Sequence, residues 1–269
     1  MLKTYQRAGL RLTYHEFGTG DPIVLLHGFP EDGQSWYAVS QRLVAAGYRT
    51  IIPEMRGYTP QASPVARTAY RTDHLAADII GLLDTLQIQR VHLVGHDWGG
   101  QLAWKIAQWY PQRIKQLTVI ATPHPKAMLW AYRHSNQLFR SAYVGLFQVP
   151  QLPERVVAQY LRRFLRRSGL NATEADRLSQ KFQRPAKLTG PLNWYRALFL
   201  RDQPATPDDQ IHVPTVFVWG QHDAFLGAAA AKKTADFIAA PYHFMVVNGG
   251  HWLPEERPEL VTHAILIRH

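Results

Sequence analysis

The segment Val94-Gly95-His96-Asp97-Trp98-Gly99-Gly100 carries the sharpest chemical signal in the sequence. Small residues stand two before and two after Asp97, an apolar run precedes it and a helical pattern follows. That is the spacing of a nucleophile elbow, a sharp strand-to-helix turn that holds its central side chain exposed in a strained conformation. A Cβ at Gly95, Gly99 or Gly100 would clash with crossing backbone. The helix starting there offers free N–H groups and the positive end of its dipole, which favours an ionised Asp97. A carboxylate in this place suits attack on an sp³ carbon. The resulting ester keeps its acyl part on the enzyme, so water can regenerate the carboxylate. A serine would give an ether instead, which an imidazole base could not hydrolyse.

Three further segments supply what such a reaction needs. His27-Gly28-Phe29-Pro30 directly follows the apolar run Ile23–Leu26. A loop after that strand and the residue after the nucleophile each give one oxyanion-hole N–H in this kind of site, which makes the backbone amides of Phe29 and Trp98 the expected donors. Asp223 ends Trp219-Gly220-Gln221-His222-Asp223, and His251 lies in Gly249-Gly250-His251-Trp252, each just past a β-rich run. The chain order is nucleophile, acid, histidine. His251 is the expected base and Asp223 the group that orients it. The sequence holds 13 histidines, so one alone means little. His92, His96, His124, His134, His243 and His269 have no catalytic context and read as structural or solvated. No pair of histidines with a carboxylate has metal-ligand spacing, so no metal and no cofactor are expected.

These residues need rigid elements to position them. Leu10–His15 alternates apolar and polar, as a half-buried strand does. Ile23–Leu26, Thr50–Pro53, Val91–Val94, Leu117–Ile120, Thr215–Trp219 and Phe244–Val247 are near-continuous apolar runs, which fit strands buried on both faces. Between them, Asp73 precedes an amphipathic run through Leu86, which it could cap, and Gln101–Tyr110 is a second helix ended by Pro111. Alternating strands and helices imply an α/β fold with a mostly parallel sheet flanked by helices. The alternation fails between about Pro123 and Asp208, which is Leu- and Arg-rich at helical spacing with breaks at Pro150, Pro153, Gly169 and Pro185. Residues 1–123 and 206–269 therefore read as the core, and residues 124–205 as an inserted helical cap.

Composition narrows the classes. With 269 residues, 46% of them hydrophobic, the chain can bury one core plus an insertion. There is no cysteine, hence no disulfide and no thiol nucleophile. No run of eighteen apolar residues suggests a membrane span, and the first residues lack the apolar stretch of a secretory signal, so a cytoplasmic location is expected. The net charge is +10, and 14 of the 30 basic but only 4 of the 20 acidic residues lie between Lys126 and Asp202. Arg162, Arg163, Arg166 and Arg167 interleave with Leu161, Phe164 and Leu165, which reads as a solvated helix face rather than a nucleic-acid site.

Taken together, His27-Gly28-Phe29-Pro30-Glu31, Gly95–Gly100, Trp219–Asp223, Gly249-Gly250-His251 and Arg56-Gly57-Tyr58 resemble the soluble epoxide hydrolase branch of the α/β-hydrolase fold superfamily over nearly the whole chain. The resemblance implies hydrolysis of an epoxide to a vicinal diol through an Asp97 alkyl ester. It also implies two cap tyrosines that hold the epoxide oxygen. Pro191–Arg196 is similar to the segment bearing one of them, Tyr195, and Tyr143–Pro150 to the segment bearing the other, Tyr143. Phe29, Trp98, Phe147, Trp194, Phe225 and Trp252 are expected to line an apolar pocket, so the expected partners are a small hydrophobic epoxide and water, with the chain a monomer or homodimer. Two other readings stay open. A haloalkane-type dehalogenase would use the same Asp-His-Asp set, but such enzymes generally have Asn or a second Trp as halide donor, and Phe29 stands where that Asn commonly lies. A non-catalytic ligand-binding module of the same fold would have no chemical need for all five residues.

Overall fold

The computed structural model describes residues 2–202 and 209–268. The chain opens with a hairpin of β1 (Leu2–Arg7) and β2 (Leu10–Phe17). Strand and helix then alternate through β3 (Pro22–Leu26), α1 (Tyr37–Ala45), β4 (Arg49–Pro53), α2 (Thr72–Thr85), β5 (Val91–His96), α3 (Trp98–Trp109) and β6 (Ile114–Ile120). The chain next leaves the sheet for α4 (Pro125–His134), α5 (Gln137–Arg140), α6 (Ala142–Phe147), α7 (Leu152–Arg167), α8 (Ala172–Lys181) and α9 (Thr189–Ala197). It returns with β7 (Thr215–Gly220), α10 (Ala228–Lys233), β8 (Tyr242–Val247), α11 (Leu253–Glu256) and α12 (Pro258–Ile265).

Among the described residues the strands form one sheet in the order β1-β2-β4-β3-β5-β6-β7-β8. β1, β2 and β4 pair antiparallel and the rest pair parallel. Side chains alternate across the sheet because a strand has a two-residue period. Val24, Leu26, Leu93, Leu117 and Val119 pack on one face with Leu75, Ile79 and Leu83 of α2 and Leu102 and Ile106 of α3. Ile23, Leu25, Val94, Ile120 and Val218 pack on the other with Val39 and Leu43 of α1 and Val261 and Ile265 of α12. Both faces are covered, so the central strands show no polar alternation.

The structure adds to and corrects the reading of elements. β1 gives no periodic signal because it is an edge strand, with Tyr5 its one buried residue. α2 begins at Thr72, so Asp73 is not its cap: it sits in the first turn, paired with Arg71, while Asp202 accepts the Thr72 N–H at 2.8 Å. Pro153 does not break α7 but occupies its first turn, where a missing N–H costs nothing. The helical excursion starts at Pro125, close to the expected residue 124; the expected return at 205/206 lies outside the described residues, as does His269. No helix among the described residues is long and apolar enough to cross a membrane.

Candidate active site

β5 ends at His96 and α3 starts at Trp98, so Asp97 alone makes the turn. Its backbone has φ 49° and ψ −119°, a conformation that costs an L-residue roughly 1–3 kcal/mol and persists only where the surroundings impose it. The glycines show how. A Cβ on Gly95 would stand 2.3 Å from the Gly99 carbonyl oxygen, and one on Gly99 2.2 Å from that of Leu26. At Gly100 the neighbours are side chains, Val119 at 2.9 Å and Thr122 at 3.1 Å. Gly28 presses on the turn from the β3 loop, and a Cβ there would lie 2.4 Å from the Asp97 Cβ. The Thr122 hydroxyl donates to the Asp97 carbonyl oxygen at 2.7 Å and ties the turn to the end of β6.

The two carboxylate oxygens of Asp97 have different settings. Oδ1 accepts the Phe29 N–H at 2.8 Å, whereas Oδ2 lies 3.4 Å from His251 Nε2. The Trp98 amide, the second expected donor, opens α3 and makes no bond to the carboxylate in this arrangement. Behind His251, Nδ1 is 2.8 Å from Asp223 Oδ2. The other Asp223 oxygen accepts the N–H groups of Phe225 and Leu226 at 2.8 and 3.0 Å, which fixes the carboxylate's orientation. Burial works against the charge of Asp97, but His251, His96 and the Phe29 N–H outweigh it and hold the carboxyl below its usual range. Burial likewise opposes a charged His251, yet Asp223 and Asp97 raise it well above an ordinary imidazole. The resting pair is thus carboxylate and imidazolium.

Above Asp97 is a cavity of about 290 Å³, counting its open mouth. Tyr143 from α6 and Tyr195 from α9 line it together with Asp97 and His251. Their rings stand 6.1 Å apart, and Tyr195 lies edge-on to Phe29 at 5.3 Å. Burial, followed by nearby charge, raises both phenols well above the usual value, so both stay protonated and able to donate. Four expected aromatics line the cavity: Phe29, Phe147, Phe225 and Trp252. Trp98 and Trp194 do not. They line a separate hollow of about 270 Å³, counting its open mouth, because the Trp194 indole N–H is anchored to the Arg56 carbonyl oxygen at 2.8 Å and Trp98 packs on Trp194 at 5.9 Å. Trp98 instead backs Tyr195, with ring centroids 4.8 Å apart.

Sequence reasoning missed several residues. Phe164 lines the cavity from α7 while 41% exposed, which puts it at the mouth; its signal was the apolar residue set among four arginines. His96, read as structural or solvated, is buried, and its Nε2 donates to the His251 carbonyl oxygen at 2.9 Å. Glu31 is also buried and accepts the Gly28 N–H at 2.6 Å. Among the described residues no group of three or more His, Asp or Glu could hold a metal ion.

A family model described as alpha/beta hydrolase fold matches residues 21–258. The chain belongs to the α/β-hydrolase family. This hydrolase is 35% identical over 256 residues to AB hydrolase superfamily protein YfhM of Bacillus subtilis, covering 92% of this chain and 89% of the relative. It is 33% identical over 305 residues to Epoxide hydrolase A of Mycobacterium tuberculosis, covering 96% and 94%. It is also 33% identical over 275 residues to human Epoxide hydrolase 4, covering 96% and 75%. The crystal structure of Epoxide Hydrolase A from Mycobacterium thermoresistibile superposes on the hydrolase with a TM-score of 0.83 at 28% identity, covering 98% and 96%. These relatives set the hydrolase in the epoxide hydrolase branch, as the sequence resemblance implied.

Proposed function

We propose that this α/β-hydrolase converts a hydrophobic epoxide to a vicinal diol in two covalent steps, under a cap formed by α4–α9. The observation that carries the reading is the convergence on one cavity of the Asp97 carboxylate, the His251–Asp223 pair and two phenols. The relatives named epoxide hydrolases support it.

In the first step Asp97 Oδ2 attacks a ring carbon from the side opposite the C–O bond. Tyr143 and Tyr195 donate to the ring oxygen, and one phenol passes its proton to the emerging alkoxide. The product is an ester of Asp97. Esterification removes the negative charge that helped raise His251, so the imidazolium becomes more acidic and its proton returns to the phenolate left by the first step. Neutral His251, held by Asp223, then takes a proton from water as it attacks the Asp97 Cγ. Charge collects on Oδ1, where the Phe29 N–H already points, and the second donor role falls to the Trp98 amide. Collapse of the adduct breaks the Cγ–Oδ2 bond, the leaving alkoxide takes up a proton relayed by His251, and the diol departs with the former Oδ2 while Asp97 returns to a carboxylate.

Carbon–halogen cleavage is less well served. Phe29 offers no side-chain donor to a halide, and the Trp252 indole N–H is engaged by Ser168 Oγ at 3.0 Å. The test is a single turnover of styrene oxide in oxygen-18 water. Label is expected in Asp97 and not in the diol, and label confined to the diol disproves the covalent step.

A further inference from the structure

Behind His251 lies a group of titratable side chains that the reaction leaves untouched: Glu31, His96 and Glu255. Glu31 and His96 are fully buried, as are both carboxyl oxygens of Glu255. Four of their polar atoms, Glu31 Oε1, His96 Nδ1 and the two Glu255 oxygens, have no aligned hydrogen bond. Buried polar atoms in that condition demand an account.

Proton bookkeeping supplies one. The His251 carbonyl oxygen can only accept, so the 2.9 Å contact puts a proton on His96 Nε2. Nδ1 of a neutral His96 is then a lone pair, and Glu31 Oε1 lies 2.7 Å from it, off the line of an aligned bond. Two bare lone pairs would repel at that distance, so the contact calls for a proton on one of the two groups. Glu255 abuts Glu31, and two buried carboxyls side by side cannot both ionise. Burial pushes Glu31 up to about 7 and Glu255 well above its usual range, and it lowers His96. The titratable groups facing Glu31 are Asp97 and His96 at the elbow, His251 and Glu255 from the C-terminal loop and α11, and Tyr58.

The other Glu31 oxygen accepts the Gly28 N–H, one residue before the Phe29 amide that holds Asp97 Oδ1. We infer that Glu31, His96 and Glu255 form a proton-sharing brace, positioning residues that hold the His251 backbone and the Phe29 amide for hydrolysis of the Asp97 ester and release them when Glu31 ionises. This rests on the two-step reading above. Ionised Glu31 would aim a lone pair at His96 Nδ1, so His96 must change tautomer and drop the His251 carbonyl. Hydrolysis should suffer more than ester formation, because only hydrolysis needs both the His251 base and an oxyanion donor at Phe29.

The test follows ester formation and decay on styrene oxide by rapid quench and intact-mass spectrometry. Glu31→Met keeps the bulk but no polar contact; the ester should decay about tenfold more slowly while its formation slows far less. Glu31→Gln is the conservative rescue. Its NH₂ can donate to His96 Nδ1 and its carbonyl can accept from Gly28, but it cannot ionise. It should restore decay and keep kcat flat from about pH 6 to about pH 8.5, where wild-type kcat falls. Wild-type decay in the Met variant, or an unchanged alkaline fall in the Gln variant, overturns the brace alone. Should the Met variant fail to fold, the Gln pH profile decides. No ester in the wild-type enzyme overturns the two-step reading as well.

Discussion

In the proposed reaction Asp97 attacks with a charge that is held at both ends, by the Phe29 N–H on one oxygen and by His251 beside the other. Replacing His251 with Gln removes the base while leaving the nucleophile. The ester should then accumulate to about one per chain in intact-mass spectra and kcat should fall by at least about 10³-fold; normal turnover would exclude His251 as the base. Gly28→Ala tests the crowding at the turn. Its Cβ would meet the Asp97 Cβ at 2.4 Å and push the Phe29 amide away, so kcat should drop by about 10²-fold with little change in KM. At this scale the sequence was largely legible, since Asp97 and Asp223 each follow a buried strand and His251 follows the apolar run of β8, an edge strand of which only Val247 is buried. The pocket aromatics were less so. Where an indole turns depends on a partner such as the Arg56 carbonyl oxygen, which no local spacing encodes.

The helices between β6 and β7 are held to the sheet by a few buried charges. Asp32, in the loop after β3, accepts Arg177 Nη1 at 2.8 Å and Lys181 Nζ at 2.7 Å, both from α8. Within the excursion, Arg196 of α9 bonds both oxygens of Glu154 on α7 and the carbonyl oxygens of Phe147 and Val149, which fixes the chain just after Tyr143. Asp32→Asn should cost about 2 kcal/mol in urea unfolding, because the two cations lose a charged acceptor. The same variant should raise KM more than it lowers kcat if α8 steadies the cavity wall; a drop in kcat alone would count against that. Strand and helix existence was readable because burial on both faces leaves long apolar runs. The boundary signals failed where capping is tertiary, as with Asp202 serving α2 from 130 positions away.

For the molecule as a whole, two buried carboxyls pull stability in opposite directions with pH. Burial opposes the charge of Asp32, but Lys181 and Arg177 prevail and hold it at about 2, so its contribution is present above its usual 3.8 and lost as pH falls through about 2. Glu31 sits at about 7, so its contribution is present below its usual 4.5 and lost as pH rises through about 7. The melting temperature should therefore peak between about pH 4 and about pH 5, Asp32→Asn should flatten the acid limb, and Glu31→Gln the alkaline one. A maximum near pH 8 would contradict this. The overall architecture could be read from the order of runs alone. The brace could not, because Glu31, His96 and Glu255 are distant in the chain and each looks ordinary in its own segment.

The unequal settings of the two Asp97 oxygens leave an isotopic memory. If Oδ1 stays clasped by the Phe29 amide through every cycle, only its neighbour is ever surrendered to product and replaced from solvent. Over many turnovers in heavy water-oxygen, the chain should gain the mass of one labelled atom and then stop. A second exchanged atom would mean that the carboxylate spins between cycles faster than it reacts.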